Sequence, residues 1–132
     1  MSLLLLDTTF LIDAERGGID LDDAIDDDDD VAIAAVTVAE LIVGVKLASR
    51  KQRTTRQAYV DAIIEALPII AYDRDVAFEH AELLAAVRGQ GRPRGAHDLL
   101  IAATARATHR TVVTADQAAF IDLPGVSTIE HR

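Results

Sequence analysis

Cysteine and tryptophan are absent from this 132-residue chain, and proline occurs only three times. Without thiols there is no disulfide framework, no thiolate zinc or iron–sulfur site and no cysteine nucleophile. The four histidines, His80, His97, His109 and His131, show no i,i+4 spacing, so any metal here would have to be held by oxygen. Long apolar runs are missing too. The longest stretch without a charged residue is residues 31–39, far short of a membrane span. The apolar run Leu3–Leu6 is cut off by Asp7 and no basic segment precedes it, so it does not read as a signal peptide. The expectation is a cytoplasmic protein with no membrane association.

What is present is a hydrophobic half of the sequence, enough for one domain spanning residues 1–132. A chain of this length buries roughly two-thirds of its unfolded surface and needs no covalent staple. Net charge is −9, but eight aspartates (Asp20, Asp22, Asp23 and Asp26 to Asp30) account for nearly all of it, leaving −1 on the remainder. Two basic clusters stand outside the run: Arg50, Lys51, Arg53 and Arg56, then Arg88, Arg92 and Arg94. The acidity is therefore local and does not exclude a polyanionic substrate. The run lacks the spacing and glycine of an EF-hand loop, and like charges in sequence repel, so it reads as a solvated surface.

Along the chain, apolar runs alternate with helical periodicity. Leu3–Leu6 reads as a strand buried on both faces, followed by a short helical turn over residues 8–14 that Gly17 and Gly18 break. Residues 31–36 give a second strand. Val38, Leu41, Ile42 and Val45 then lie on one face of a helix beginning at Thr37. A further helix is expected over about residues 54–67, stopped by Pro68, then a short strand at 69–71 and a helix over 76–87 ended by the glycine-rich segment 89–95. An alanine-rich helix from Asp98 to Thr108, a strand Thr111–Thr114, a turn at 116–120 and a last strand at 126–129 complete the pattern. Such alternation predicts an α/β fold: three layers, with a mainly parallel central sheet of four or five strands flanked by helices.

In such sheets ligands bind beyond the carboxyl ends of the strands. Asp7 ends the first strand and Asp116 follows the fourth; Asp98 opens a helix and Glu40 lies a few residues past the second strand. Each aspartate taken alone has the simpler reading of a helix cap. Glu40 resists it, because Val43, Gly44 and Leu47 share its helical face and a half-buried carboxylate needs compensation, from a cation or from one of the arginines. Clustered acids without sulfur favour a hard ion, Mg²⁺ or Mn²⁺, able to lower the pKa of a bound water and to neutralise charge on a phosphate oxygen.

With those residues in view, the chain resembles a PIN domain of the VapC toxin type over essentially its whole length. The resemblance rests on four segments in order: residues 5–13 (LLDTTFLID), 37–41 (TVAEL), 97–105 (HDLLIAATA) and 113–120 (VVTADQAAF without its first valine) with Pro124, Gly125 and Val126. It implies a Mg²⁺- or Mn²⁺-dependent endoribonuclease, a homodimer, and inhibition by a VapB-type antitoxin through which alone the pair would touch DNA. Asp7, Glu40, Asp98 and Asp116 match the family's acidic quartet and Thr114 its active-site hydroxyl. The mechanism so implied is hydrolysis, with Asp7 and Asp98 on the principal ion, Glu40 and Asp116 completing the site or holding a second, and Thr114 orienting the attacking water. Only five aromatic residues occur, most at expected core positions, so phosphate contacts rather than base stacking should hold RNA. Arg92, Arg94, Arg50 and Arg53 are the candidate donors.

Two readings from other classes compete. A Mg²⁺-dependent phosphohydrolase or receiver-type module would need an aspartate two residues after Asp7, or a lysine after a late strand. Thr9 stands at the first position, and the only lysines are Lys46 and Lys51. A non-catalytic interaction module on the same fold would be favoured by a missing acid, yet all four are present.

Overall fold

The computed structural model describes residues 2–18, 21–91 and 93–130. Five strands, β1 (Leu3–Leu6), β2 (Asp30–Ala34), β3 (Ile69–Ile70), β4 (Thr111–Thr114) and β5 (Thr128–Glu130), form one sheet. Their order is β3-β2-β1-β4-β5 and every pairing is parallel. Among the described residues, six helices fill the connections: α1 (Thr8–Gly17), α2 (Leu21–Ala24), α3 (Ala35–Leu47), α4 (Arg50–Ala66), α5 (Arg74–Gln90) and α6 (Ala96–Thr108), with a 3-10 turn at Gln117–Phe120.

Strand alternation sorts the core into two layers. Leu5, Ala32, Ala34 and Val112 face one cluster with Leu83 of α5 and Ile101 of α6. Leu4, Leu6, Ile33 and Val113 face the other with Phe10 of α1, Leu41 of α3 and Val60 of α4. Both faces of the sheet are thus covered, which is why β1 can be four leucines in a row. The chain winds from β1 outward to β3, then returns to place β4 on the other side of β1. The switch point lies between β1 and β4, where such sheets bind ligands.

Several boundaries differ from the sequence expectation. Helix α4 begins at Arg50, not near residue 54, because Ser49 starts the helix and the basic residues that follow are good helix formers. Helix α5 runs through Gly89 to Gln90 and is ended only by Gly91, whose φ of 66° suits a residue without Cβ. Tyr72 and Phe78 are exposed rather than in the core. Tyr72 instead meets Nδ1 of His80 at 2.9 Å, and the guanidinium of Arg74 lies 5.3 Å from the centre of the Phe78 ring. Among the described residues, no helix is long and apolar enough to cross a membrane.

Candidate active site

Asp7 follows β1 and occupies the N-cap position of α1, yet its side chain makes no capping bond. It is 1% exposed, and its Oδ2 accepts hydrogen bonds from the hydroxyls of Thr9 at 2.7 Å and Thr114 at 2.6 Å. The parallel pairing of β1 with β4 makes this possible: Leu6 pairs with Val113, and the Asp7 amide donates to the Val113 carbonyl at 2.9 Å. Thr114 is fully buried and also accepts from the amide of Asp116 at 2.9 Å. Its hydroxyl hydrogen points to Asp7 and its oxygen receives the Asp116 amide, so this residue ties the segments that carry two of the acids together.

Glu40 lies in the second turn of α3 and is held at both carboxylate oxygens. Thr8 donates to Oε1 at 2.7 Å and its hydroxyl oxygen lies 3.1 Å from that of Thr37, while Nδ1 of His97 lies 3.1 Å from Oε2. The compensating partner is therefore a histidine, not one of the arginines. Thr8, Thr9, Thr37 and His97 were not singled out from the sequence, although Thr8 and His97 directly neighbour Asp7 and Asp98, and Thr9 follows Asp7 by two. Short polar groups flanking an acid at a helix start were the available signal.

Asp98 sits inside the first turn of α6, whose N-cap is Gly95, so it is not a cap. Its carboxyl is pushed above the ordinary carboxylate value, first by burial and then by the charges of Asp7, Glu40 and Asp116, with His97 opposing. All four acids thus converge at the carboxyl edge of the sheet. Asp116 precedes the 3-10 turn and makes no side-chain cap either.

Gly95 fits tightly against this group. A Cβ there would lie 2.6 Å from Oδ2 of Asp98, while the backbone itself is unstrained at a φ of −61°. The carboxylate can swing aside at little energetic cost, but then it leaves its place among the acids. Gly95→Ala should therefore change stability by under about 1 kcal/mol yet lower catalysis on the order of tenfold or more. Melting curves and initial rates on one preparation check both halves.

The basic residues fall differently. Arg92 lies outside the described residues. Arg53 donates to the Ala48 carbonyl at 3.2 Å and Arg56 pairs with Glu15 at 3.5 Å. Arg56 and Lys51 line a depression with Glu15 and Arg16 that contains none of the four acids. Arg50 is exposed at the start of α4. Among the described donors, Arg94 lines a cleft with Asp98 and Asp116.

Among the described residues, one set of three acids brings oxygens within 4.8 Å of one another: Asp26, Asp28 and Asp29 of the aspartate run. Both Asp29 oxygens already accept backbone amides, from Ser2 and Asp26, each at 3.1 Å. Asp30 pairs with Arg110 at 2.8 Å, so the run is not wholly solvent-facing. No three acids of the quartet approach one another that closely. Mg²⁺ is commonly held by only one or two carboxylates, so such a spacing is compatible with that ion. The all-oxygen donor set and the mutual repulsion felt at Asp98 both fit a hard cation.

A family model described as PIN domain matches residues 4–125. Ribonuclease VapC5 of Mycobacterium tuberculosis is 37% identical over 128 residues, covering 95% of this chain and 90% of that protein. Ribonuclease VapC2 of Rickettsia felis is 31% identical over 96 residues, 73% of this chain and 70% of the relative. Among solved structures, VapBC2 from Rickettsia felis bound to a DNA fragment from their promoter contains a chain that superimposes with a TM-score of 0.89. The two are 25% identical, and the match covers 98% of this chain and 99% of the other.

Proposed function

This chain belongs to the PIN-domain family, among the VapC-type ribonucleases, and we propose that its quartet Asp7, Glu40, Asp98 and Asp116 is the site at which it hydrolyses RNA with a divalent metal. The observation that carries the reading is the convergence at Asp98, whose carboxyl is raised first by burial and then by the charges of Asp7, Glu40 and Asp116, which come from distant parts of the chain. A folded protein keeps such repulsion where a cation relieves it.

Bound there, Mg²⁺ or Mn²⁺ would supply positive charge to the phosphate oxygens and a more acidic water. Asp7 and Asp98 would hold it, with Glu40 and Asp116 acting through water or toward a second ion. The protein's own part is orientation. Thr9 and Thr114 occupy one oxygen of Asp7, leaving Oδ1 as its free ligand atom. Thr8 and His97 clamp Glu40 from both sides, so the carboxylates need little rearrangement when the cation and phosphate arrive.

The same reading makes this chain the toxin of a type II toxin–antitoxin pair, neutralised by a VapB-type antitoxin, with DNA contacted only through that partner. Its solved relatives crystallised as VapBC complexes support this. Ile42, Val43 and Leu47 are exposed on α3, Leu47 to 82%, an apolar surface suited to an antitoxin segment or to a second copy in a homodimer.

Purified protein should cleave structured RNA with Mg²⁺ or Mn²⁺ and stop on addition of chelator. Robust cleavage in chelator contradicts the mechanism. Hydrolysis of small phosphate esters with no action on RNA favours the phosphohydrolase alternative instead.

A further inference from the structure

We infer that the cleft beside the quartet is a nucleotide subsite, in which Arg94 receives a phosphate and the side chains of Ala118 and Ile121 receive the base. This rests on the nuclease reading for its biological sense, but not for its test. The cleft measures about 450 Å³ and is lined by Pro93, Arg94, Asp98, Asp116, Ala118 and Ile121 among others. A second depression of about 550 Å³ shares Asp116, Ala118 and Ile121 with it, so the two adjoin at those residues. Small-molecule sites run from about 300 to 1,000 Å³.

Three features of the wall point to a nucleotide. Arg94 donates from Nη1 to the Ala119 carbonyl at 3.3 Å and from Nη2 to that of Ile121, which fixes the guanidinium plane. Two carbonyls use two of its five N–H groups, and no carboxylate of a described residue lies within 4.0 Å to neutralise it. A rigid, half-buried cation without an ion-pair partner among the described residues suits a phosphate, for which a planar fork is the matching shape. In the same lining, Ile121 is 58% exposed although its neighbour Phe120 is buried in the core. An aliphatic side chain held outward from a fixed turn gives a flat apolar seat for a base. Finally, Asp98 and Asp116 belong to both the cleft and the quartet, so a nucleotide seated here lies next to the phosphodiester to be cut.

The test uses the four nucleoside 5′-monophosphates and the corresponding nucleosides, titrated into metal-free protein with isoleucine methyl groups followed by NMR. The Ile121 methyl should shift saturably, and the monophosphate of at least one base should bind tenfold or more tightly than its nucleoside. Arg94→Ala should erase that preference. Since Arg94 also ties down the turn, Arg94→Lys and the exposed Ile121→Ser serve beside it. The lysine variant should keep part of the preference, and the serine variant should weaken monophosphate and nucleoside alike.

No saturable shift at Ile121 with any monophosphate overturns the proposal, as does a phosphate preference that survives Arg94→Ala. Because binding is read without metal or turnover, the two readings fail separately. RNA cleavage with no shift at Ile121 removes the subsite alone, whereas monophosphate binding without RNA cleavage keeps the subsite and removes the nuclease.

Discussion

Asp98→Asn is expected to lower RNA cleavage on the order of 100- to 1,000-fold, as loss of a charge-stabilising group at a reacting phosphate does, while making the metal-free protein more stable at neutral pH. Asparagine keeps the shape of the side chain and removes its repulsion with Asp7, Glu40 and Asp116. One effect opposes this: Asp98 lies in the first turn of α6, where a negative charge gains about 0.3–1 kcal/mol from the helix dipole. Three facing carboxylates outweigh that half-charge, so the net change should be stabilising. The pH dependence has a definite sign. Because the folded state holds the Asp98 proton more tightly than the unfolded chain, its contribution is complete below the ordinary value of 3.8 and is lost as pH rises through the raised value. In chelator, wild type should therefore gain on the variant as the solution is acidified from neutral pH. Thermal melts at several pH values measure it; a gap that does not depend on pH contradicts it.

The second large effect is on stability alone. Phe10 is 1% exposed in the first turn of α1, two residues after Thr8, and packs with Leu4, Leu6, Leu11 and Val113. Phe10→Ala should cost about 3–5 kcal/mol, the lost transfer energy plus the cavity left behind. Against a total stability of about 5–15 kcal/mol for domains of this kind, the variant should be barely folded. Chemical denaturation checks it. A loss under about 1 kcal/mol would mean that α1 is not anchored where the structure places it, and with it the threonines that hold Asp7 and Glu40.

The fold and the acids were legible for the same reason. A doubly covered parallel strand must be apolar throughout, so an aspartate straight after Leu3–Leu6 announces a strand end, and strand ends are where this architecture keeps its ligands. The helix-cap reading of Asp98 failed because capping depends on where the helix starts. Gly95 starts it three residues earlier, and nothing in the local composition fixes that boundary. The clamp on Glu40 was hidden because it joins residues 8, 37, 40 and 97, brought together only by packing. Arg53, Arg56 and Arg94 looked alike as surface cations. Only tertiary contacts distinguish an arginine tied to the Ala48 carbonyl or to Glu15 from one that lines a cleft beside the acids.

Among the described residues, two groups of acids are candidates for a cation: the quartet at the carboxyl edge of the sheet, and Asp26, Asp28 and Asp29 on the loop before β2. Direct Mn²⁺ binding, read from the free-ion signal in electron paramagnetic resonance, decides between them. A saturable site should be present in wild type, disappear in Asp7→Asn, and persist when Asp26, Asp28 and Asp29 are replaced together by asparagine. Binding that survives Asp7→Asn and is lost with the three loop aspartates would contradict the assignment of the metal to the quartet.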